Sequence, residues 1–86
     1  MTLNSTVAEA IAEQALAELQ QVPYPALVPL LDDSRKAVVT GADGRQYQVV
    51  TYALPDVDDC VRVVVAVDDG GRSAFKPLVR DIIVAP

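Results

Sequence analysis

Apolar positions recur at helical spacing over the first quarter of the chain. The apolar stripe is made of Val7, Ile11, Ala15, Leu19 and Val22, with glutamates and glutamines on the other half of the helical wheel. Thr6 and Glu9 have the spacing of a capping box, and Pro23 disfavours helical geometry at the residue before it. The pattern predicts an amphipathic helix over about residues 6–22.

Residues 23–31 form an apolar segment with three prolines, Pro23, Pro25 and Pro29. Because proline fixes its own φ angle and restrains its predecessor, we expect an extended connector that lies against the core. The Asp-Asp-Ser sequence that follows is typical of a turn.

The rest of the chain alternates β-prone runs with turn residues, which is typical of an antiparallel meander. The runs cover residues 36–40, 45–54, 61–67 and 72–76, and residues 82–85 form either a last short strand or a docking tail. Asp43-Gly44 is a strong hairpin signal, and a two-residue turn there would place Thr40 opposite Tyr47 and Val38 opposite Val49. We predict a single α+β domain over residues 1–86, with the helix on one face of a meander of about three to five strands within residues 35–85.

The run 61–67 is apolar on both faces, since Val64 and Ala66 lie opposite the main valine row. A strand covered on one face alternates more sharply than this, and one helix covers only one face of a sheet. We therefore expect a cover on the second face: the 26–31 segment, the C-terminal segment or another subunit. The expected interface residues are Val64, Ala66, Ile82, Ile83 and Val84.

Composition narrows the classes of partner. The chain has 86 residues and a net charge of −5, which disfavours nucleic acid and anionic membrane surfaces as partners. The absence of a basic leader, of a long apolar run and of a second cysteine beside Cys60 favours a reducing, cytoplasmic setting. The preference for Arg over Lys and for Ala and Val is typical of a bacterial or phage genome.

Residues that commonly carry catalysis are scarce. The sequence contains no histidine, which removes the commonest general base and metal ligand. Two aspartates precede Cys60 and disfavour its thiolate, so the thiol is expected to be a small structural side chain. No phosphate-binding or dinucleotide motif is present, and we expect neither a cofactor nor a metal.

Carboxylates gather in two loops, and the residues concerned are Asp56, Asp58, Asp59, Asp68 and Asp69. If the 61–67 strand joins the loops, they lie at its opposite ends, roughly 20 Å apart at about 3.3 Å per residue. Solvated turns are the favoured interpretation, and binding of a basic partner is the other.

These patterns predict a non-catalytic protein-interaction or structural component that forms a homo-oligomer or binds another protein. The first alternative is an acidic inhibitor, such as an antitoxin, an immunity protein or a phage anti-defence protein, that occupies a basic site. The second is an enzyme subunit or a weak metal-binding protein that uses the aspartate loops.

Overall fold

A computed structural model of the protein describes residues 5–70 and 77–86. Its main elements are helix α1 (Ser5–Leu19), the short helix α2 (Tyr24–Leu27) and the strands β1 (Arg35–Thr40), β2 (Gln46–Pro55), β3 (Val61–Asp68) and β4 (Leu78–Val84). The four strands form one antiparallel sheet in the order β1-β2-β3-β4. The predicted α+β meander with a single long helix is therefore confirmed.

Helix α1 is shorter at its C-terminus than the sequence pattern predicts. It ends at Leu19, and Gln21 and Val22 bond back three residues in a tighter turn ahead of Pro23. At its start Thr6 lies inside the first turn, and the Glu9 carboxylate accepts a hydrogen bond from Arg80 at 2.7 Å. The predicted capping box between Thr6 and Glu9 is wrong, because Glu9 is directed across the molecule to β4.

The expected extended connector is also wrong. Residues 24–27 form α2 and residues 28–31 form a turn of 3-10 helix. The prolines permit this, since Pro25 and Pro29 stand in the first turns of the two segments, where no intrahelical partner for an N–H group is lost. The helical turns bury Leu27 and Leu30 in the core, which an extended strand, with its period of two residues, would separate onto opposite faces.

The β1–β2 hairpin has a three-residue loop and not the predicted two-residue turn. Gly41 N–H donates to the Arg45 carbonyl at 2.8 Å, and Gly44 N–H donates to the Gly41 carbonyl at 3.0 Å. Gly44 has φ +80°, the left-handed geometry that such loops require. The register is therefore shifted by one residue: Tyr47 lies opposite Val39, and Val49 lies opposite Ala37.

The strand that pairs with the far side of β3 is β4, along its whole length from Val67 opposite Leu78 to Val61 opposite Val84. The C-terminal segment is therefore a strand and not a docking tail. The β-prone run over residues 72–76, predicted as a strand, lies outside the described residues.

The core lies between α1 and one face of the sheet. Ala8 and Ala12 are fully buried, and their small side chains let the helix approach β3 and β4 closely. The sheet residues of the core are Tyr47, Val49, Ala53, Val61, Val63, Val65 and Val67. These residues alternate along β2 and β3 and all point toward α1, so we call this side the helix-side face.

Candidate interaction surfaces

The opposite side of the sheet, called the open face below, carries a second set of apolar side chains. By strand register they are Val38, Val50, Tyr52, Leu54, Val64, Ala66, Val79 and Ile83. Val38 is 64% exposed and Ile83 is 55% exposed. Within the described ranges, α1, α2 and the 3-10 turn at residues 28–31 all bury their apolar residues on the helix-side face. Of the covers expected for the open face, the 26–31 segment and the C-terminal segment are thus excluded.

The predicted interface residues divide between the two faces. Val64, Ala66 and Ile83 lie on the open face, whereas Ile82 and Val84 point to the helix-side face and pack against the core. The last two residues are separated from Ile83 because β4 is a sheet strand, in which neighbouring side chains alternate, so they add no side chain to the open face. Val64 is only 4% exposed, since it stands on a central strand between Tyr52 and Asp81, so it contributes little free area to an interface.

Charged groups on the open face are engaged with one another. Arg62 donates from Nη1 to Asp81 at 2.7 Å and from Nε to Asp56 at 3.2 Å. The hydrogen bond to Asp81, followed by that to Asp56, raises the pKa of the Arg62 guanidinium above its ordinary value. Asp68 is buried and accepts a hydrogen bond from Gly70 N–H at 2.7 Å. This pairing lowers the electrostatic cost of placing a protein surface over the face.

The five loop carboxylates do not form one site. Asp56 precedes β3 and Asp69 follows it, and each pairs with its own arginine, Arg62 and Arg45 respectively. Asp58 and Asp59 have left-handed backbones, with φ of 55° and 62°. In the described part of the chain no three His, Cys, Asp or Glu residues are placed to share a metal ion. Asp56 and Asp69 thus take part in ion pairs, and Asp58 and Asp59 stand in a turn; binding of a basic partner by these loops stays a prediction.

Cys60 is half-buried between the 3-10 turn Val57–Asp59 and β3. Its backbone accepts from the Asp56 amide at 2.9 Å and donates to the Val57 carbonyl at 3.0 Å. The residue therefore contributes to the geometry of the β2–β3 connection through its main chain.

A groove that the sequence pattern does not predict lies between α1 and β1. It has a volume of about 380 Å³ and is lined mainly by Ile11, Ala15, Leu19, Ala37, Val39 and Val49. It exists because α1 packs on β3 and β4 and leaves the helix-side face of β1 uncovered. The sequence signal for this groove is the alternation of Ala37 and Val39. The predicted hairpin register, which differs by one residue from the structure, paired Val38 and not Ala37 with Val49.

Gly41, which directly follows β1, closely approaches α1. A Cβ atom at Gly41 would lie 2.6 Å from Val7 Cγ1 and 2.7 Å from Tyr47 Cε1. Val22 and Arg35 also line the groove.

Comparison with protein-family models, with curated proteins and with solved structures finds no match for this chain. Among the described residues no helix is long and apolar enough to cross a membrane.

Proposed function

We propose that the protein is a non-catalytic structural or interaction component that associates with a second copy of itself through the open face. The observation that carries the proposal is the exposure of Val38, Leu54, Val79 and Ile83 on a sheet face over which none of the described helical segments packs. Exposed apolar area of this kind, bordered by polar groups, marks interaction surfaces.

The composition of the face supports a protein partner. Its centre is apolar, with Val50, Tyr52 and Ala66 half-buried. Arg62 and Asp81 form their ion pair on one side of this centre. An apolar centre with satisfied charges at its border is the arrangement of protein–protein interfaces.

The area of the open face indicates how strongly two copies should associate. Four strands about 4.8 Å apart and about seven residues long at roughly 3.3 Å per residue give roughly 440 Å² per copy. Two copies would bury roughly 900 Å², which is below the approximately 1,200 Å² of a standard stable interface. We therefore expect a weak dimer whose population depends on concentration in the micromolar range.

The experiment that tests the proposal places a charge on the face. Val79 pairs with Ala66, which pairs with Val50, which pairs with Lys36. Lys36 is therefore three strands from Val79, roughly 14 Å at about 4.8 Å per strand, which is too far to neutralise a new carboxylate at position 79 within one copy. Val79→Asp should weaken association at least about tenfold, because the interface would bury an unpaired charge.

The matched control is Val57→Asp. Val57 is 72% exposed in the β2–β3 connection and lies outside the strands of the sheet, so this variant should associate like the wild type. Sedimentation velocity over a concentration series measures both variants, with circular dichroism to confirm folding. Equal association of Val79→Asp and wild type would refute the open face as the interface.

A further inference from the structure

The two walls of the groove between α1 and β1 are matched in length. On α1 the apolar lining residues Ile11, Ala15 and Leu19 extend over about 12 Å at about 1.5 Å per residue. On β1 the lining runs from Arg35 to Val39, over about 13 Å at about 3.3 Å per residue. Both lengths are comparable with that of an extended octyl chain, so the groove can hold one aliphatic chain lengthwise.

The size of the groove favours a small molecule over a protein segment. Its volume of about 380 Å³ lies within the roughly 300–1,000 Å³ that is typical of small-molecule sites. Eleven residues line it, whereas a stable protein interface uses about 20–30 residues on each partner. Its floor on β2 is formed by Val49 and Thr51, which are 7% and 8% exposed, and a narrow chain can reach a floor of this depth.

Thr51 supplies a polar group inside the groove. Its hydroxyl forms no hydrogen bond with any described residue. In the described part of the chain no fully enclosed side-chain nitrogen or oxygen lacks a hydrogen-bond partner, so the Thr51 hydroxyl is accessible from the groove that the residue lines. A buried polar group without a partner is unfavourable, and a ligand atom in the groove can satisfy it.

Arg35 and Glu18 stand at the same end of the groove as Thr51. Arg35 lies opposite Thr51 in the sheet. Because Val7 lies against Gly41, which follows β1, α1 and β1 run in opposite directions, and this places Glu18 near the start of β1. Both charged residues line the groove, and neither forms an ion pair within the described ranges. One end of an apolar groove thus carries a cation, an anion and a hydroxyl, the few convergent polar groups that orient a ligand.

The charges at this end favour an uncharged head group. A carboxylate would be attracted by Arg35 but repelled by Glu18, and Asp32 and Asp33 precede Arg35 in the chain. An ammonium group would in turn be repelled by Arg35. A hydroxyl group accepts a hydrogen bond from a guanidinium and donates one to a carboxylate at the same time, so it satisfies both walls without a net charge.

We propose that the groove binds an uncharged single-chain amphiphile, with its hydroxyl head group among Arg35, Thr51 and Glu18 and its aliphatic chain between α1 and β1. The groove lies on the helix-side face of the sheet. The site is therefore separate from the open face, and the inference stands independently of the proposed function.

The first test titrates the full chain with octanol and follows the amide signals by two-dimensional NMR. The signals of Ala37, Val39 and Thr51 should shift. Hexanol should bind about fifteenfold more weakly, because each buried methylene group contributes about fourfold in affinity. Octanoate and octylammonium, which carry the same chain, should each bind at least about tenfold more weakly at pH 7, since each meets a like charge at the head-group end.

The second test fills the groove. Ala37 is exposed on β1, so Ala37→Phe should fold and should abolish octanol binding because the ring occupies the space of the chain. The matched control is Ala17→Phe, the same change at an exposed position of α1 that does not line the groove. Thr51→Val keeps the shape of the side chain and removes the hydroxyl, and it should weaken octanol binding by about threefold to tenfold.

The third test changes the head-group preference. Glu18→Gln removes the anion and should make octanoate bind more tightly than octanol. Arg35→Gln removes the cation and should do the same for octylammonium. Both residues are exposed, so both variants should fold, and circular dichroism checks this. An unchanged order of the three ligands in both variants overturns the assignment of the head-group end.

Octanol binding that is lost in Ala37→Phe and kept in Ala17→Phe supports the proposal. Absence of shifts up to the solubility limit of octanol, or equal affinity of Ala37→Phe and wild type, overturns it. Equal affinity for octanol and octanoate overturns the uncharged head group, and shifts confined to Val79 and Ile83 would place the ligand on the open face and overturn the groove. Val79→Asp should leave octanol binding unchanged, so failure of self-association and failure of this proposal are distinguishable.

Discussion

The Tyr47 hydroxyl donates a hydrogen bond to Asp43 Oδ2 at 2.7 Å, joining the start of β2 to the hairpin loop. This bond lowers the pKa of the Asp43 carboxyl, and burial, followed by the bond to Asp43, raises the pKa of the Tyr47 hydroxyl. A lowered carboxyl pKa contributes stability that is present above the unfolded pKa and is lost as pH falls through the folded pKa. A raised hydroxyl pKa contributes stability that is lost as pH rises above the unfolded value.

Tyr47→Phe keeps the ring in the core and removes the bond. The variant should be less stable than the wild type near pH 7. The difference in the free energy of unfolding should shrink as the pH falls below the ordinary aspartate pKa of about 3.9 and disappear as it passes the lowered pKa of folded Asp43. Urea unfolding at pH 7 and pH 3 measures this difference in the free energy of unfolding. Tyr52→Phe, on the open face, is the control. A difference of the same size at both pH values would contradict a stabilising hydrogen bond from the Tyr47 hydroxyl to the ionised Asp43 carboxylate.

The contact between Gly41 and Val7 gives a prediction about packing. Gly41→Ala places a Cβ atom 2.6 Å from Val7 Cγ1, and overpacking of this kind destabilises by about 1–3 kcal/mol. The double variant Gly41→Ala with Val7→Ala should recover part of the loss in chemical denaturation. Strictly additive effects of the two changes would show that the side chains do not meet.

The Thr6 hydroxyl and the Asp56 carboxylate should contribute unequally to the free energy of unfolding. Thr6 is exposed inside the first turn of α1, so Thr6→Ala should change the unfolding free energy by no more than about 0.5 kcal/mol. Asp56 accepts from the Val57 amide at 2.7 Å and pairs with Arg62, so Asp56→Ala should cost about 1 kcal/mol. Thermal melts compare the two variants. A larger loss of stability in Thr6→Ala than in Asp56→Ala would support a capping box between Thr6 and Glu9.

Cys60 should be dispensable for association. Its contacts in the β2–β3 connection are made by the backbone, so Cys60→Ser should leave both the fold and the concentration dependence of the mass unchanged. Circular dichroism and sedimentation velocity check this. Loss of association in a folded Cys60→Ser protein would bring the thiol into the interface.

The sequence correctly predicted those elements of the fold for which a local pattern has one physical interpretation. The valine row of β3 and the stripe of α1 correctly predicted a helix on a meander. Asp43-Gly44 correctly located a hairpin but not its register, because a two-residue and a three-residue loop both use that dipeptide, and the backbone bonds of Gly41 decide between them.

Other features depended on tertiary contacts that no local pattern contains. Pro25 and Pro29 fit an extended chain as well as a first helical turn, and burial of Leu27 and Leu30 favours the turn. Val64 and Ala66 correctly indicated a second apolar face. The sequence could not show that α2 would join α1 on the helix-side face, or that α1 would leave β1 uncovered.

The most direct test of self-association is the mass of the wild-type protein as a function of concentration. Multi-angle light scattering from about 1 μM to about 500 μM spans the range expected for a weak interface of this area. We expect the mass to rise from the 9.2 kDa of one chain to about 18 kDa or more as symmetric dimers form. A mass of 9.2 kDa at every concentration would contradict it.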